Sequence, residues 1–189
     1  VTTKRGMVFS ISDAELLELS ERNPGYQFER TAEGRLLVTP SGSKGGQRSL
    51  EVAGQLRDWN KKKRLGVVFD SSAGFRLPDG SLFAPDTSFV RRERWESLTA
   101  EQQEGFAPLC PDAVFEVRSP TQSLAELREK MRVYLANGAA IGVLIDPFEK
   151  IVEIYRPGRE PERHDSPARL SLDPELPGFE LDPTPIFHG

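Results

Sequence analysis

The chain has a single cysteine, Cys110, in 189 residues. That excludes an internal disulfide and fits a reducing cytoplasm, where the protein is expected to reside. Its two histidines, His164 and His188, do not form a zinc-binding cluster. Aromatic residues make up only 8% of the chain and imply no aromatic-lined sugar cleft, which argues against a glycosidase. No run approaches the about 18 apolar residues needed to span a bilayer, so no membrane association is expected. The first turns carry Asp13, Glu15 and Glu18 among their apolar residues, which is not the pattern of a secretory signal. Excess positive charge is absent too. A formal net charge of -4 does not suggest a general coat for nucleic acid, although a local basic patch can still dominate a contact surface. The glycine-rich segment Ser41-Gly42-Ser43-Lys44-Gly45-Gly46 lacks the ordered glycine, lysine and hydroxyl series of a phosphate-binding Walker loop, so no nucleotide cofactor is expected. There are no internal repeats.

What remains is the composition of an ordinary globular protein, 37% apolar and 29% charged, long enough for one substantial core. The pattern predicts a helix over Ser12–Ser20, capped by Ser12 with Glu15 as its reciprocal partner. Strands follow at Tyr26–Glu29 and Arg35–Val38 around a turn ending in Gly34. A polar loop over Thr39–Gly46 precedes a helix at Gln47–Lys61, where Val52, Leu56 and Trp59 share one face. Val67–Phe69 opens a β-rich section, and Phe75–Leu77 with Leu82–Phe83 reads as a hairpin whose outgoing strand reaches Asp86. Arg91–Gln103 is polar and partly helical, with Trp95 and Leu98 turned inward. After a strand at Ala113–Val117, Ser119-Pro120 with Gln122 predicts the start of a helix running to Ala136. Ile141–Ile145, with no polar side chain, suits a central strand, and Ile151–Tyr155 is its neighbour. The proline-rich remainder from about 157 reads as an irregular wrap. Overall this is an α/β (α+β) domain over residues 1–189: a mixed β-sheet flanked by helices, with the 119–136 helix as crossover between parallel strands.

Asp86 and Glu116 each sit in or beside a strand-forming run. Carboxylates there are costly to bury unless a cation compensates them. Two such acids and a nearby basic group are what Mg2+-dependent phosphodiester cleavage requires, with Mn2+ as a substitute. Glu116 and Arg118 leave the same face of their strand, while Leu127, Lys130, Met131 and Tyr134 are linked by helical steps. In this reading Asp86 and Glu116 hold the ion, the backbone carbonyl of Val117 completes the protein ligands, and Glu51 is a further candidate acting through water. Lys130 assists the attacking water and offsets charge, and Arg118 clamps phosphate. Arg91, Arg92 and Arg94 beyond the Asp86 strand, Lys44 in the glycine-rich loop, and the basic run Arg57, Lys61, Lys62, Lys63, Arg64 are candidates for meeting a phosphate backbone. Spacing alone leaves bland alternatives open. Pro-Asp is most often a turn, a strand glutamate can face solvent, a lone helical lysine can snorkel, and cations at a helix end can simply complement its dipole.

The motifs Phe69-Asp70-Ser71-Ser72, Gly74-Phe75-Arg76-Leu77, Pro85-Asp86-Thr87-Ser88-Phe89-Val90, Pro111-Asp112, Phe115-Glu116-Val117-Arg118-Ser119-Pro120, Lys130-Met131 with Tyr134, and Leu144-Ile145-Asp146-Pro147 resemble the Uma2-like family of restriction endonucleases. That family lies in the PD-(D/E)xK nuclease superfamily, and the likeness runs from about Ser10 to Phe187. It implies a restriction-endonuclease-like core with Asp86 and Glu116 as metal-binding acids. Arg118 stands at the usual lysine position, Lys130 is the displaced lysine, and Tyr134 belongs to the same helix motif, near the substrate. Where relatives often carry an aspartate after Ser-Pro, this chain has Gln122. The implied function is a Mg2+-dependent DNA endonuclease, and cutting both strands with one site per chain favours a homodimer. The alternative is a non-catalytic nucleic-acid- or protein-binding member that keeps the nuclease scaffold.

Overall fold

The computed structural model describes residues 11–188. Residues 1–10 lie outside that range, including part of the stretch read above as no secretory signal and Ser10, where the resemblance begins. Among the described residues no helix is long and apolar enough to cross a membrane.

Helix α1 (Asp13–Arg22) starts as predicted: the Ser12 hydroxyl accepts from the Glu15 N–H, and the Glu15 carboxylate accepts from the Ser12 N–H. Strands β1 (Tyr26–Arg30) and β2 (Leu36–Pro40) pair antiparallel around a turn in which Gly34 adopts φ 83°. Helix α2 (Ser43–Lys63) begins four residues before the expected Gln47. Gly45 and Gly46 each cost a helix about 1 kcal/mol relative to alanine. Docking of the buried Arg48, Ser49, Val52, Leu56 and Trp59 outweighs that cost.

The hairpin expected over Phe75–Leu77 and Leu82–Phe83 forms, but its outgoing strand ends at Phe83 instead of reaching Asp86. Strand β3 (Gly66–Asp70) belongs to a six-stranded sheet, whereas β4 (Phe75–Arg76) and β5 (Leu82–Phe83) join the first hairpin in a four-stranded sheet ordered β2-β1-β5-β4. The chain crosses from one sheet to the other at Ala84-Pro85-Asp86, where proline has no ladder donor to lose. Strand β6 (Thr87–Arg91) then pairs with β3. Two short helices, α3 (Arg92–Glu96) and α4 (Ala100–Glu104), occupy the polar segment. Strand β7 (Ala113–Val117) pairs antiparallel with β6.

Helix α5 (Leu124–Ala136) starts later than Ser119-Pro120 predicts. Ser123 caps it by accepting from the Glu126 N–H, and the preceding turn is retained because the Gln122 carbonyl accepts from Arg118 Nε at 3.2 Å. Strand β8 (Ile141–Asp146) lies parallel to β7, so α5 is the expected crossover. Gly142 lets α5 approach: a β-carbon there would fall 2.7 Å from Met131 Sδ. Strand β9 (Ile151–Tyr155) pairs antiparallel with β8. The segment after Pro157 is more ordered than its prolines suggest. Strand β10 (Glu162–Asp165) extends the large sheet to the order β10-β9-β8-β7-β6-β3, β11 (Leu170–Ser171) pairs with β12 (Glu180–Leu181), and α6 (Thr184–His188) follows.

The core lies on both faces of the six-stranded sheet. Val52, Leu56, Trp59, Phe89, Phe115 and Phe179 pack α2 and the C-terminal segment on one face. Phe75, Phe83, Val114, Met131 and Tyr134 pack α5 and the smaller sheet on the other.

Candidate active site

The pairing of β6 with β7 matches Thr87 to Phe115, so continuing that register by one step sets Asp86 opposite Glu116. Two acids thirty positions apart thus meet at one edge of the sheet. Asp86 is held by the residue after Glu116, and Glu116 by two residues of α5. Asp86 Oδ2 accepts the Val117 N–H at 2.7 Å. The Ser49 hydroxyl, on α2, also lies against the Asp86 carboxylate. Glu116 is almost wholly buried, and its Oε1 contacts Lys130 Nζ at 2.7 Å and accepts the Tyr134 phenol at 3.0 Å. Leu127, Lys130, Met131 and Tyr134 are the buried residues of α5, which is why the lysine and tyrosine one turn apart both reach Glu116.

A third acid completes the group. Glu29, on β1 of the smaller sheet, places Oε1 2.9 Å from Lys130 Nζ and accepts the Ala84 N–H at 2.6 Å. Sequence reasoning misses Glu29 and Ser49. Glu29 lies in a short strand with charged and polar neighbours, and only pairing of the smaller sheet against α5 shows that it points inward. Its one sequence signal is its place in a strand two residues after Gln27 and one after Phe28, which is weak.

Two carboxylates therefore contact one ammonium, and the charge of Asp86 acts on it from farther away. Burial pushes the Glu116 carboxyl above its ordinary range; Lys130 opposes the shift, and Asp86 and Glu29 add to it. Burial likewise raises Asp86, against the Val117 N–H and Lys130. Burial pulls the Lys130 ammonium down, but Glu116 and Glu29 outweigh it and hold the lysine above its usual value, hence charged. Tyr134 is raised well above its usual value, first by burial and then by the negative charge of Glu116. Its phenol thus remains a donor.

Asp86, Ser49, Val117, Ser119 and Gln122 line an open cleft of about 410 Å3, together with the first turn of α2. That turn carries no acidic residue. Lys44 lies exposed within it. Other expected contributors lie elsewhere. Glu51 is exposed on α2, off the face that buries Arg48, Ser49, Val52 and Leu56, and Ser49 takes the position against Asp86. Arg91 is five residues along from Asp86, roughly 17 Å at about 3.3 Å per residue. It lies 3.8 Å from Asp112, which also pairs with Arg94 at 3.0 Å. The basic run ending α2 sits at the opposite end of that helix from Ser49, on the order of 20 Å away. Arg118 remains at the site's edge, where its Nη1 donates to buried Asp146 at 2.7 Å.

Among the described residues no group of three or more histidine, cysteine, aspartate or glutamate side chains is arranged to hold a metal. The donor set still fits a hard cation of the Mg2+ type. Such an ion takes one or two carboxylates and fills its other positions with water and phosphate oxygens, and the excess of carboxylate over ammonium here is charge that a cation would offset.

The family model for Uma2, described as "Putative restriction endonuclease", matches residues 13–184. A protein from Anabaena variabilis ATCC 29413, described as "a putative nuclease belonging to DUF820", superposes with a TM-score of 0.77 at 25% identity, covering 94% of this chain and 98% of that one. No curated protein matches significantly. With matched residues running from α1 to α6 and encompassing both facing acids, this chain belongs to the Uma2 family.

Proposed function

We propose that the protein is a Mg2+-dependent endonuclease that hydrolyses phosphodiester bonds in DNA, with Mn2+ able to replace Mg2+. The observation that carries this reading is the meeting of Asp86 and Glu116 across adjacent strands with the Lys130 ammonium 2.7 Å from Glu116. Asp86 and Glu116 would hold the ion, with the Val117 carbonyl nearby as a further donor. The ion would lower the pKa of a bound water and neutralise charge on the scissile phosphate. The chain's own groups supply pre-organisation. The Val117 N–H fixes Asp86, with the Ser49 hydroxyl close by, while Tyr134 and Lys130 fix Glu116, so neither carboxylate has to reorient when substrate arrives. Lys130 stays protonated, so it serves as a positioning residue and a fixed positive charge rather than a base. Arg118 and the α2 N-terminal turn, with Lys44 beside it, offer the phosphate backbone cationic and N–H groups at the cleft margin. Cleavage of both strands by one such site per chain would use two copies of the protein.

The test is cleavage of plasmid and oligonucleotide DNA in Mg2+, Mn2+ or EDTA by wild type, D86N, E116Q and K130M. The expected result is metal-dependent cleavage that falls by about 100-fold or more in D86N and E116Q, in line with loss of a group that stabilises transition-state charge. Cleavage that is equal in wild type and D86N would overturn the mechanism. Tight DNA binding without any cleavage would favour the non-catalytic scaffold.

A further inference from the structure

The turn between β8 and β9 carries an aromatic ring for which neither the core nor the hydrolytic machinery has a use. Phe148 is 46% exposed, and two guanidinium groups lie over its ring, with Arg48 Cζ 5.4 Å and Arg118 Cζ 5.6 Å from the centroid. The turn is rigidly held. Asp146, 1% exposed, accepts the Phe148 N–H at 3.0 Å and the Glu149 N–H at 3.3 Å through one oxygen, and Arg118 Nη1 through the other. The arginines are anchored as well. Arg118 Nε donates to the Gln122 carbonyl, and Arg48 Nε donates to the Ile186 carbonyl at 3.2 Å. A mobile hydrophobic side chain would need no such framing.

The ring's position is set by the site itself. β7 and β8 run parallel with Val117 beside Ile145, so Asp146 and the Phe148 turn leave the sheet at the edge where Glu116 and Val117 lie. Arg118 follows Val117, whose N–H holds Asp86, and Arg48 precedes Ser49, whose hydroxyl lies against the same carboxylate. Both cations that reach the ring are therefore one residue from a group beside the proposed metal ligand Asp86. The two guanidinium groups leave the ring 46% exposed, and that remaining π surface beside two positive charges complements a planar base attached to a phosphate. A duplex presents its bases stacked and covered, so the contact suits a base that is unpaired or displaced.

We propose that Phe148 is a stacking contact for an unpaired nucleobase beside the scissile phosphate, with Arg48 and Arg118 setting the ring and supplying positive potential for the adjoining backbone. This rests on the nuclease reading and adds a preference for single-stranded or locally opened nucleic acid. The experiment measures binding without turnover. E116Q, E116Q/F148A and E116Q/F148W are each titrated with a single-stranded oligonucleotide containing 2-aminopurine and with the matching duplex. The proposal expects E116Q/F148A to bind the single strand roughly 5- to 100-fold more weakly than E116Q, the range that removal of one base–aromatic stack covers. It also expects loss of 2-aminopurine quenching, recovery of both in F148W, and a smaller effect on the duplex. Equal affinity and quenching in E116Q and E116Q/F148A overturn the stacking role and leave the nuclease reading standing. So does equal weakening in the alanine and tryptophan variants, which would mark a merely structural ring. If E116Q binds neither strand form, the nuclease reading fails, and the proposal with it.

Discussion

At the scale of single residues, Glu116 sets how the protein responds to pH. Its carboxyl rises from an ordinary 4.5 to about 8, first because of burial, with Asp86 and Glu29 adding to the rise against Lys130. The folded state therefore keeps a proton that the unfolded chain releases. The stability linked to this group is fully present below about pH 4.5 and is lost as pH rises toward about 8. Glutamine at this position carries no such proton. Urea unfolding of wild type and E116Q across that window should show wild type losing stability relative to the variant as pH increases. No change would mean that Glu116 ionises in the fold as it does in the unfolded chain, and a gain that the fold favours its charged form. At this scale the sequence was partly legible. Asp86 and Glu116 stand out because carboxylates among strand-forming residues need a reason to be there. Glu29 and Ser49 do not, since a polar side chain in a polar surrounding carries no such signal.

At the scale of elements, α2 has two jobs that show how local and global preferences trade off. Its N-terminal turn lines the cleft, and its C-terminal part is fastened to the core by Trp59. The indole Nε1–H donates to the Pro177 carbonyl at 3.1 Å, and the ring packs edge-on against Phe89 and Phe179 with centroids 5.4 and 5.7 Å away. W59A should cost about 3–5 kcal/mol, as expected for truncating a buried aromatic. Denaturant unfolding measures it, and a loss under about 1 kcal/mol would show that α2 is held chiefly elsewhere. The α2 helical face was readable from Val52, Leu56 and Trp59. Its start was not, because glycine signals a loop locally and only docking against the sheet overrides that. The start of α5 was misread for a related reason. Ser119 and Ser123 both offer a hydroxyl cap, and the choice falls to Ser123 because Arg118 must reach both Asp146 and the Gln122 carbonyl before the helix begins.

At the scale of the whole molecule, the two sheets meet through Lys130. Glu29 from the smaller sheet and Glu116 from the larger both bind its ammonium, and Glu29 also accepts the Ala84 N–H where the chain crosses between sheets. E29A strands that buried N–H, which should cost about 1–3 kcal/mol. The loss of one negative charge near Asp86 and Glu116 offsets part of this. Amide exchange should quicken in β1, β2 and β5 while β7 and β8 stay protected, and uniform exchange across both sheets would show that Glu29 does not join them. Sequence alone determined what depends on neighbours along the chain: most strands and helices, the α1 cap and the Gly34 turn, the crossover between parallel strands, and the two acids whose placement is costly without a cation. The tertiary structure alone decided that the β4–β5 hairpin joins the smaller sheet, that Glu29 and Ser49 lie near the two facing acids while Glu51 and Arg91 point elsewhere, and that Phe148 stands at the same end of the sheet. Those outcomes follow from long-range pairing register and helix docking, in which a residue's role is set by partners distant in sequence that no local pattern specifies.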